Sequence, residues 1–249
     1  MPIRRQNAKR PTISWDDRGR PNAHTKSRSR NVLSTAQVAE SLGVSQAYVN
    51  MLENGKRRLT PGLTRRLSTL YGLSPETLPV SEEFAPAHTD DQHLAESLAK
   101  LGYPGFAYMR TRVSKKNPAE VLLTALGQDR LEARVAEALP WVAMQYGHRT
   151  SNWLVEQARK FNLQNRLGFV VSLALQVAER APGHDNTRVQ SLRELRSKLD
   201  ESRLVKEDVF YRPPQTEGEK QWLVRNRSQE AVHWNLLTDL RPEQLQYAD

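Results

Sequence analysis

Residues 34–58 read Ser-Thr-Ala-Gln-Val-Ala-Glu-Ser-Leu-Gly-Val-Ser-Gln-Ala-Tyr-Val-Asn-Met-Leu-Glu-Asn-Gly-Lys-Arg-Arg. Ser34 predicts an N-cap, because its hydroxyl can accept a backbone N–H that the first helical turn leaves unpaired. Val38, Ala39 and Leu42 fall on one face of a short helix. Gly43 follows at once and suits a left-handed turn, which glycine adopts without steric cost. Val44 gives the turn an apolar anchor, and Ser45 is a second N-cap. The next helix, residues 46–54, buries Val49 and Leu52 and stops at Gly55. Two short helices about a tight glycine turn form a helix-turn-helix, which leaves the second helix free to lie in a DNA major groove.

The pattern continues downstream. Thr60-Pro61 caps and opens a third helix with Leu63, Leu67 and Leu70 inward, Gly72 ends it, and Ser74-Pro75 begins a short helix stopped by Pro79. Through Ala39, Leu42-Gly43-Val44-Ser45, Val49, Leu52-Glu53-Asn54-Gly55-Lys56 and Gly72-Leu73-Ser74, residues 33–80 resemble the phage-repressor helix-turn-helix family of Cro/C1 type, also called the xenobiotic-response-element (XRE) family. The resemblance implies a DNA-binding regulator in which Gln46, Ala47 and Met51 occupy base-reading positions, with Asn50 on the same outward side. Gln46 has the amide for a bidentate pair with adenine, and Ala47 and Met51 suit a thymine methyl. Asn54, Lys56, Arg57 and Arg58 follow the recognition helix and suit backbone phosphates. The Thr35 hydroxyl suits one too, at the start of the first helix, where the family commonly has glutamine. A solvated helix end, its cations complementing the dipole, is the structural alternative for Lys56-Arg57-Arg58. The family's basic amphipathic first helix has little to match it in residues 23–32, a departure that touches the packing and not the recognition unit.

The chain has 249 residues, enough for two domains, and a net charge of +9 from 37 Lys and Arg against 28 Asp and Glu. The excess is not evenly spread. In residues 1–32, Arg4, Arg5, Lys9, Arg10, Arg18, Arg20, Lys26, Arg28 and Arg30 oppose only Asp16 and Asp17. In residues 33–80, Lys56, Arg57, Arg58, Arg65 and Arg66 oppose Glu40, Glu53 and Glu76, so these two stretches hold the whole excess and residues 81–249 balance to zero. Such a distribution places an anionic partner, double-stranded DNA, at the N-terminal part. There are no cysteines, which excludes disulfides, thiolate metal sites and a cysteine nucleophile. The basic start has no apolar run behind it, and the longest apolar stretch, residues 167–178, is too short to span a bilayer. The expectation is a cytoplasmic, nucleoid-associated protein without membrane partners.

Residues 1–32 lack helical periodicity and read as a basic arm that adds salt-dependent affinity. Within it, Arg18-Gly19-Arg20-Pro21 matches the core of the AT-hook, which lays two arginines in a narrow minor groove. A turn after a short strand at residues 12–15, with Arg18 and Arg20 on phosphates or in water, is the alternative and the favoured reading, since Asp16 and Asp17 stand where such motifs usually continue basic.

Residues 81–90 combine proline, charges and no periodicity, as a linker would. Residues 91–249 read as all-α. Residues 91–101 end in Gly102; Asn117-Pro118-Ala119-Glu120 caps a helix through Leu126; residues 130–139 are stopped by Pro140. Ser151 or Asn152 begins a helix to Phe161, and Asn162 precedes an apolar helix over 163–178. Val189, Leu192, Leu195 and Leu199 share one side of a charged helix, Thr216-Glu-Gly-Glu219 forms a capping box, and Arg241-Pro242 opens a last turn. No segment has the sustained alternation of a strand.

A search of this part for chemistry finds neither a His-Glu-x-x-His motif, a Walker loop nor a dinucleotide fingerprint, so no enzyme and no cofactor is expected. His148, His184 and His233 are well separated, and Asp90, Asp91 and Asp239 fit helix caps and solvated loops. Trp141, Tyr146, Trp153, Phe161 and Phe169 are either aromatic core or a docking face or ligand pocket. The runs at 117–126, 152–158, 165–171 and 233–239 resemble the C-terminal part of bacterial repressor-antitoxins that accompany toxins of nucleotidyltransferase type. That resemblance implies an autoregulating antitoxin whose helical domain neutralises a cognate toxin. A stand-alone ligand-responsive regulator and a DNA-associated scaffold or defence protein are the alternatives. A homodimer is expected, because one recognition helix reads too few bases for high specificity.

Overall fold

The computed structural model describes residues 34–245 except 55, 58, 59, 71–73, 82, 182 and 184, and the side chains of 53, 61 and 69 are also left aside. The chain divides into two compact units, Met1–Pro79 and Val80–Asp249.

In the first unit, α1 (Thr35–Leu42) and α2 (Gln46–Glu53) flank the turn, and α3 (Pro61–Leu70) packs on α1. The short helix expected after Ser74 is a 3-10 helix, Pro75–Thr77. Val38, Ala39, Leu42 and Val49 form the buried core, with Val44, Leu63, Leu67 and Leu70 packed against it as half-buried flanks. Burial of these apolar faces, more than helix propensity, holds helices this short together.

The second unit is built from α4 (Asp91–Leu101), α5 (Pro118–Leu126), α6 (Ala133–Tyr146), α7 (Ser151–Lys160), α8 (Gln164–Arg180), α9 (Asn186–Asp200), α10 (Glu217–Asn226) and α11 (Gln229–His233). Helix α8 is the axis: it is buried along most of its length and packs on α9, α6, α7, α5 and α11. Its residues explain why. At Gly168 an added Cβ would collide with the ring of Trp234, so glycine lets the indole lie on the helix backbone. The indole Nε1 then donates to Ser172 Oγ one turn on, at 2.9 Å. Ser172 also accepts from Arg196 Nε of α9 at 3.0 Å and donates to the Gly168 carbonyl at 2.8 Å. One hydroxyl thereby joins α8, α9 and the segment after α11, with its donor and acceptor capacity used.

The first turn of α8 does similar work. Asn165 clasps the Leu204 backbone, its Nδ2 donating to the carbonyl at 2.9 Å and its Oδ1 accepting from the amide at 2.8 Å. Arg166 meets both oxygens of Asp208, at 2.7 and 2.9 Å, and donates to the Leu126 and Gln128 carbonyls beyond the end of α5.

Four expectations are corrected. Pro140 does not stop a helix but lies inside α6, which begins only at Ala133. The cost of the missing N–H is outweighed by burial on both sides of it, Leu139, Trp141, Val142 and Ala143 all being in the core. Of residues 81–90, read as a linker, the described ones (81 and 83–90) are irregular but strapped to the second unit: Phe84 is 7% exposed, edge-on to Trp153 and Phe161. The strap is tied at both ends, Ser81 N–H donating to Glu120 at 2.6 Å and Thr89 N–H to Gln128 at 3.1 Å. A strand pair also exists, β1 (Asp208–Val209) beside β2 (Leu236–Leu237), parallel and too short to leave an alternation. Finally, Glu219 forms half the expected capping box: its N–H bonds Thr216, but its carboxylate turns to Gln215 N–H and Arg212.

Candidate DNA-binding interface

The recognition unit is held by its own caps. Ser34 and Gln37 form a reciprocal capping box on α1, Gln37 N–H donating to Ser34 Oγ at 3.3 Å and Ser34 N–H to Gln37 Oε1 at 2.8 Å. Gly43 takes φ 67°, a left-handed conformation that closes α1. Arg66 of α3 donates to the Leu42 carbonyl at 2.8 Å, satisfying an end group of α1 and fixing α3 to the turn. Ser45 caps α2 by accepting from Tyr48 N–H at 3.2 Å.

These caps set which side of α2 faces out. A helix advances about 100° per residue, so 46, 47, 50 and 51 cluster on one side, and 49 and 52 on the other. Val49 and Leu52 are buried at 3% and 7% exposure, whereas Gln46, Ala47 and Asn50 are exposed and Met51 is half-buried. A polar amide, a small methyl and a second amide therefore stand on an uncovered helix face near its N-terminus, in the form a major groove admits.

The residues read as phosphate ligands are less uniform. Thr35 opens α1 and is half-buried; Lys56 and Arg57 are exposed past the end of α2. Asn54 caps α2, its Nδ2 donating to the Asn50 carbonyl at 2.7 Å, so part of its donor capacity serves its own helix. Arg58, and Arg18 and Arg20 of the arm, lie outside the described residues. Gln37, two residues on from Thr35, has its side-chain oxygen engaged in the capping box. The Ser-x-x-Gln spacing is itself the sequence signal for that box.

Four of the side chains considered for chemistry in the second unit, Asp90, Asp91, His233 and Asp239, are occupied structurally, and His184 lies outside the described residues. Asp90 caps α4 by accepting from His93 N–H at 2.7 Å, and Asp91 accepts from Glu132 N–H at 3.0 Å. His233 pairs with Asp200 at 2.8 Å, and Asp239 accepts from the Tyr211 hydroxyl at 2.5 Å. Burial, then the bond to Asp239, raises the Tyr211 phenol well above its ordinary range. Trp141 stacks edge-on with Tyr103 and Tyr146, which places it in the core. Among the described residues, no group of three His, Asp or Glu is placed to hold a metal ion, and no helix is long and apolar enough to cross a membrane.

Residues 26–79 match the family model described as "Helix-turn-helix domain". The match reaches back past Leu33 and ends with the first compact unit. No curated protein matches the chain, and no solved structure does. Fold and match agree on the class: this is a mostly helical protein with an N-terminal helix-turn-helix domain, consistent with an XRE-like regulator. Such a domain points to a DNA-binding regulator.

Proposed function

We propose that the protein is a sequence-specific DNA-binding transcriptional repressor that reads bases through α2 and grips phosphates through Thr35, Lys56, Arg57 and Arg58. The observation that carries this reading is the two-sidedness of α2. Its inner side is committed to the core through Val49 and Leu52, while Gln46, Ala47 and Asn50 stand uncovered. The +9 charge, concentrated before residue 80, supplies the sequence-independent attraction that phosphate contacts need. A homodimer on a paired half-site follows from the small number of bases one such helix reaches.

Within that reading, the resemblance of residues 100–249 to repressor-antitoxins favours an autoregulating antitoxin, with the second unit as the surface that holds a toxin. The bonds of Asn165, Arg166 and Trp234 give two of those runs, 165–171 and 233–239, a structural purpose, so in these two the likeness bears on the scaffold of that unit and not on a toxin-facing surface.

The test is a footprint of the purified protein on its own upstream DNA, alone and with the product of the adjacent gene. A compact two-fold symmetric footprint is expected, and its change on adding the neighbour supports the antitoxin reading. A symmetric footprint indifferent to the neighbour removes the antitoxin and keeps the repressor. Salt-sensitive coating without a footprint contradicts both.

A further inference from the structure

The second unit balances its charge overall, yet it does so unevenly. Six of its arginines are held in ion pairs: Arg166 with Asp208, Arg180 with Glu243, Arg193 with Glu179, Arg196 with Glu230, Arg212 with Glu219 and Arg227 with Glu207. The stretch 97–119 departs from this pattern. It contains Lys100, Arg110, Arg112, Lys115 and Lys116 and no acidic residue. All five are exposed, and among the described residues none of their side chains forms a hydrogen bond or ion pair.

The segment carrying four of them, residues 107–117, is irregular but anchored. Met109 packs against the core and its N–H donates to the Phe106 carbonyl at 3.0 Å. At the other end Asn117 is buried as the N-cap of α5. Between the anchors, Tyr108 stands 71% exposed beside the cations. Lys100 at the end of α4 is close enough to Lys115 to act on it: desolvation and then the Lys100 charge lower the Lys115 ammonium from its ordinary value. Uncompensated like charges held together this way are costly unless an anion joins them.

We propose that Lys100, Arg110, Arg112, Lys115 and Lys116, with Tyr108, form a second nucleic-acid contact that grips the phosphate backbone of double-stranded DNA. The proposal rests on the DNA-binding reading above for its choice of polyanion. A surface on the same chain as a DNA-docked helix-turn-helix meets DNA at high effective concentration, so even weak phosphate contacts add to the total. Arginine, lysine and a tyrosine hydroxyl are the donors that phosphate oxygens take. An anionic membrane is the poorer fit, because the segment is not an amphipathic helix and exposes one aromatic. These contacts fix position and affinity without reading sequence.

The test compares three full-length proteins: wild type, Arg110→Ala/Arg112→Ala/Lys115→Ala/Lys116→Ala, and the charge-preserving Arg110→Lys/Arg112→Lys/Lys115→Arg/Lys116→Arg. Each is titrated by fluorescence anisotropy against a duplex of its upstream region and a scrambled duplex of the same composition, from about 50 to 200 mM salt. The alanine variant is expected to lose about 0.9 in salt slope for each phosphate released, and to bind both duplexes more weakly with their affinity ratio kept. The charge-preserving variant keeps the wild-type slope. An unchanged slope in an alanine variant with native circular dichroism overturns the proposal. So does binding to phosphatidylserine vesicles that only the alanine variant loses while its DNA binding stays the same. Equal wild-type affinity for the two duplexes would sink the sequence-specific reading instead, and a slope loss in the alanine variant would still uphold the patch. Should the alanine variant unfold, Arg112→Ala and Lys116→Ala singly carry the same comparison, one step of slope each.

Discussion

Removing the Arg166 side chain would strip Asp208 of its partner and leave the Leu126 and Gln128 carbonyls without their shared donor. The guanidinium side chain is only 13% exposed, so Arg166→Ala is expected to cost about 3 kcal/mol, read as a fall in the thermal midpoint. Arg166→Lys recovers little, because one ammonium cannot repeat the fork. Gly168→Ala tests a different force. The new methyl would meet the Trp234 ring, and overpacking of this kind costs roughly 1–3 kcal/mol, with a larger effect if the indole loses Ser172. Tyr103 offers a titration. Burial, and then the nearby Glu137 charge, push its phenol up to about 12 from 10.0. Its neutral form is therefore favoured in the folded chain. The associated stability is complete below pH 10.0 and falls as pH rises toward about 12, since there the unfolded chain releases a proton that the folded chain keeps. Urea midpoints measured from pH 9 upward should drop across that window, and Tyr103→Phe should drop less. A midpoint equally steep in both would show that Tyr103 is not the group responsible.

The helices of the recognition unit are short, and their ends matter as much as their faces. Gly43 sits at φ 67°, where a Cβ costs about 1–2 kcal/mol. Gly43→Ala should therefore loosen α1 against α2, lower the unfolding midpoint of the first unit and weaken DNA binding, while leaving the near-ultraviolet signal of the buried Trp234 in place. An unaffected midpoint would mean that the turn tolerates the change and that Arg66, bonded to Leu42, is the stronger lock. This part of the fold was legible in the sequence, because caps, glycine and apolar spacing are local signals that agree: Ser34, Gly43, Ser45, Val49 and Leu52 all take the positions read for them. Pro140 is not legible in the sequence, since the burial that carries α6 through it comes from packing on α8 and α5, which no local signal around the proline reports. Phe84 was missed for the same reason: one apolar residue in a polar stretch has no periodicity, yet it finds Trp153 and Phe161 in space.

Taken together, the two units divide the labour unequally between what sequence reveals and what it hides. The inward and outward sides of α2 follow from spacing, while the base-reading roles on its outward side are what the family resemblance implies. The bonding of the second unit depends on contacts such as Ser172 with Trp234, which no spacing rule announces. The cationic segment at 107–117 was concealed by summation, since a balanced total over residues 81–249 averages a local run of positive charge with paired arginines elsewhere. How the chain distinguishes one DNA from another rests on α2. The decisive comparison is competition binding of wild type, Gln46→Ala and Arg57→Ala against a set of duplexes that varies each base pair of the footprint. Gln46→Ala is expected to lose about 1–3 kcal/mol of discrimination at one position of each half-site and keep its salt slope. Arg57→Ala should weaken binding to every duplex alike and flatten the slope by about one. If both variants lose affinity equally on every duplex, with no position relaxed, α2 is not the helix that reads the bases.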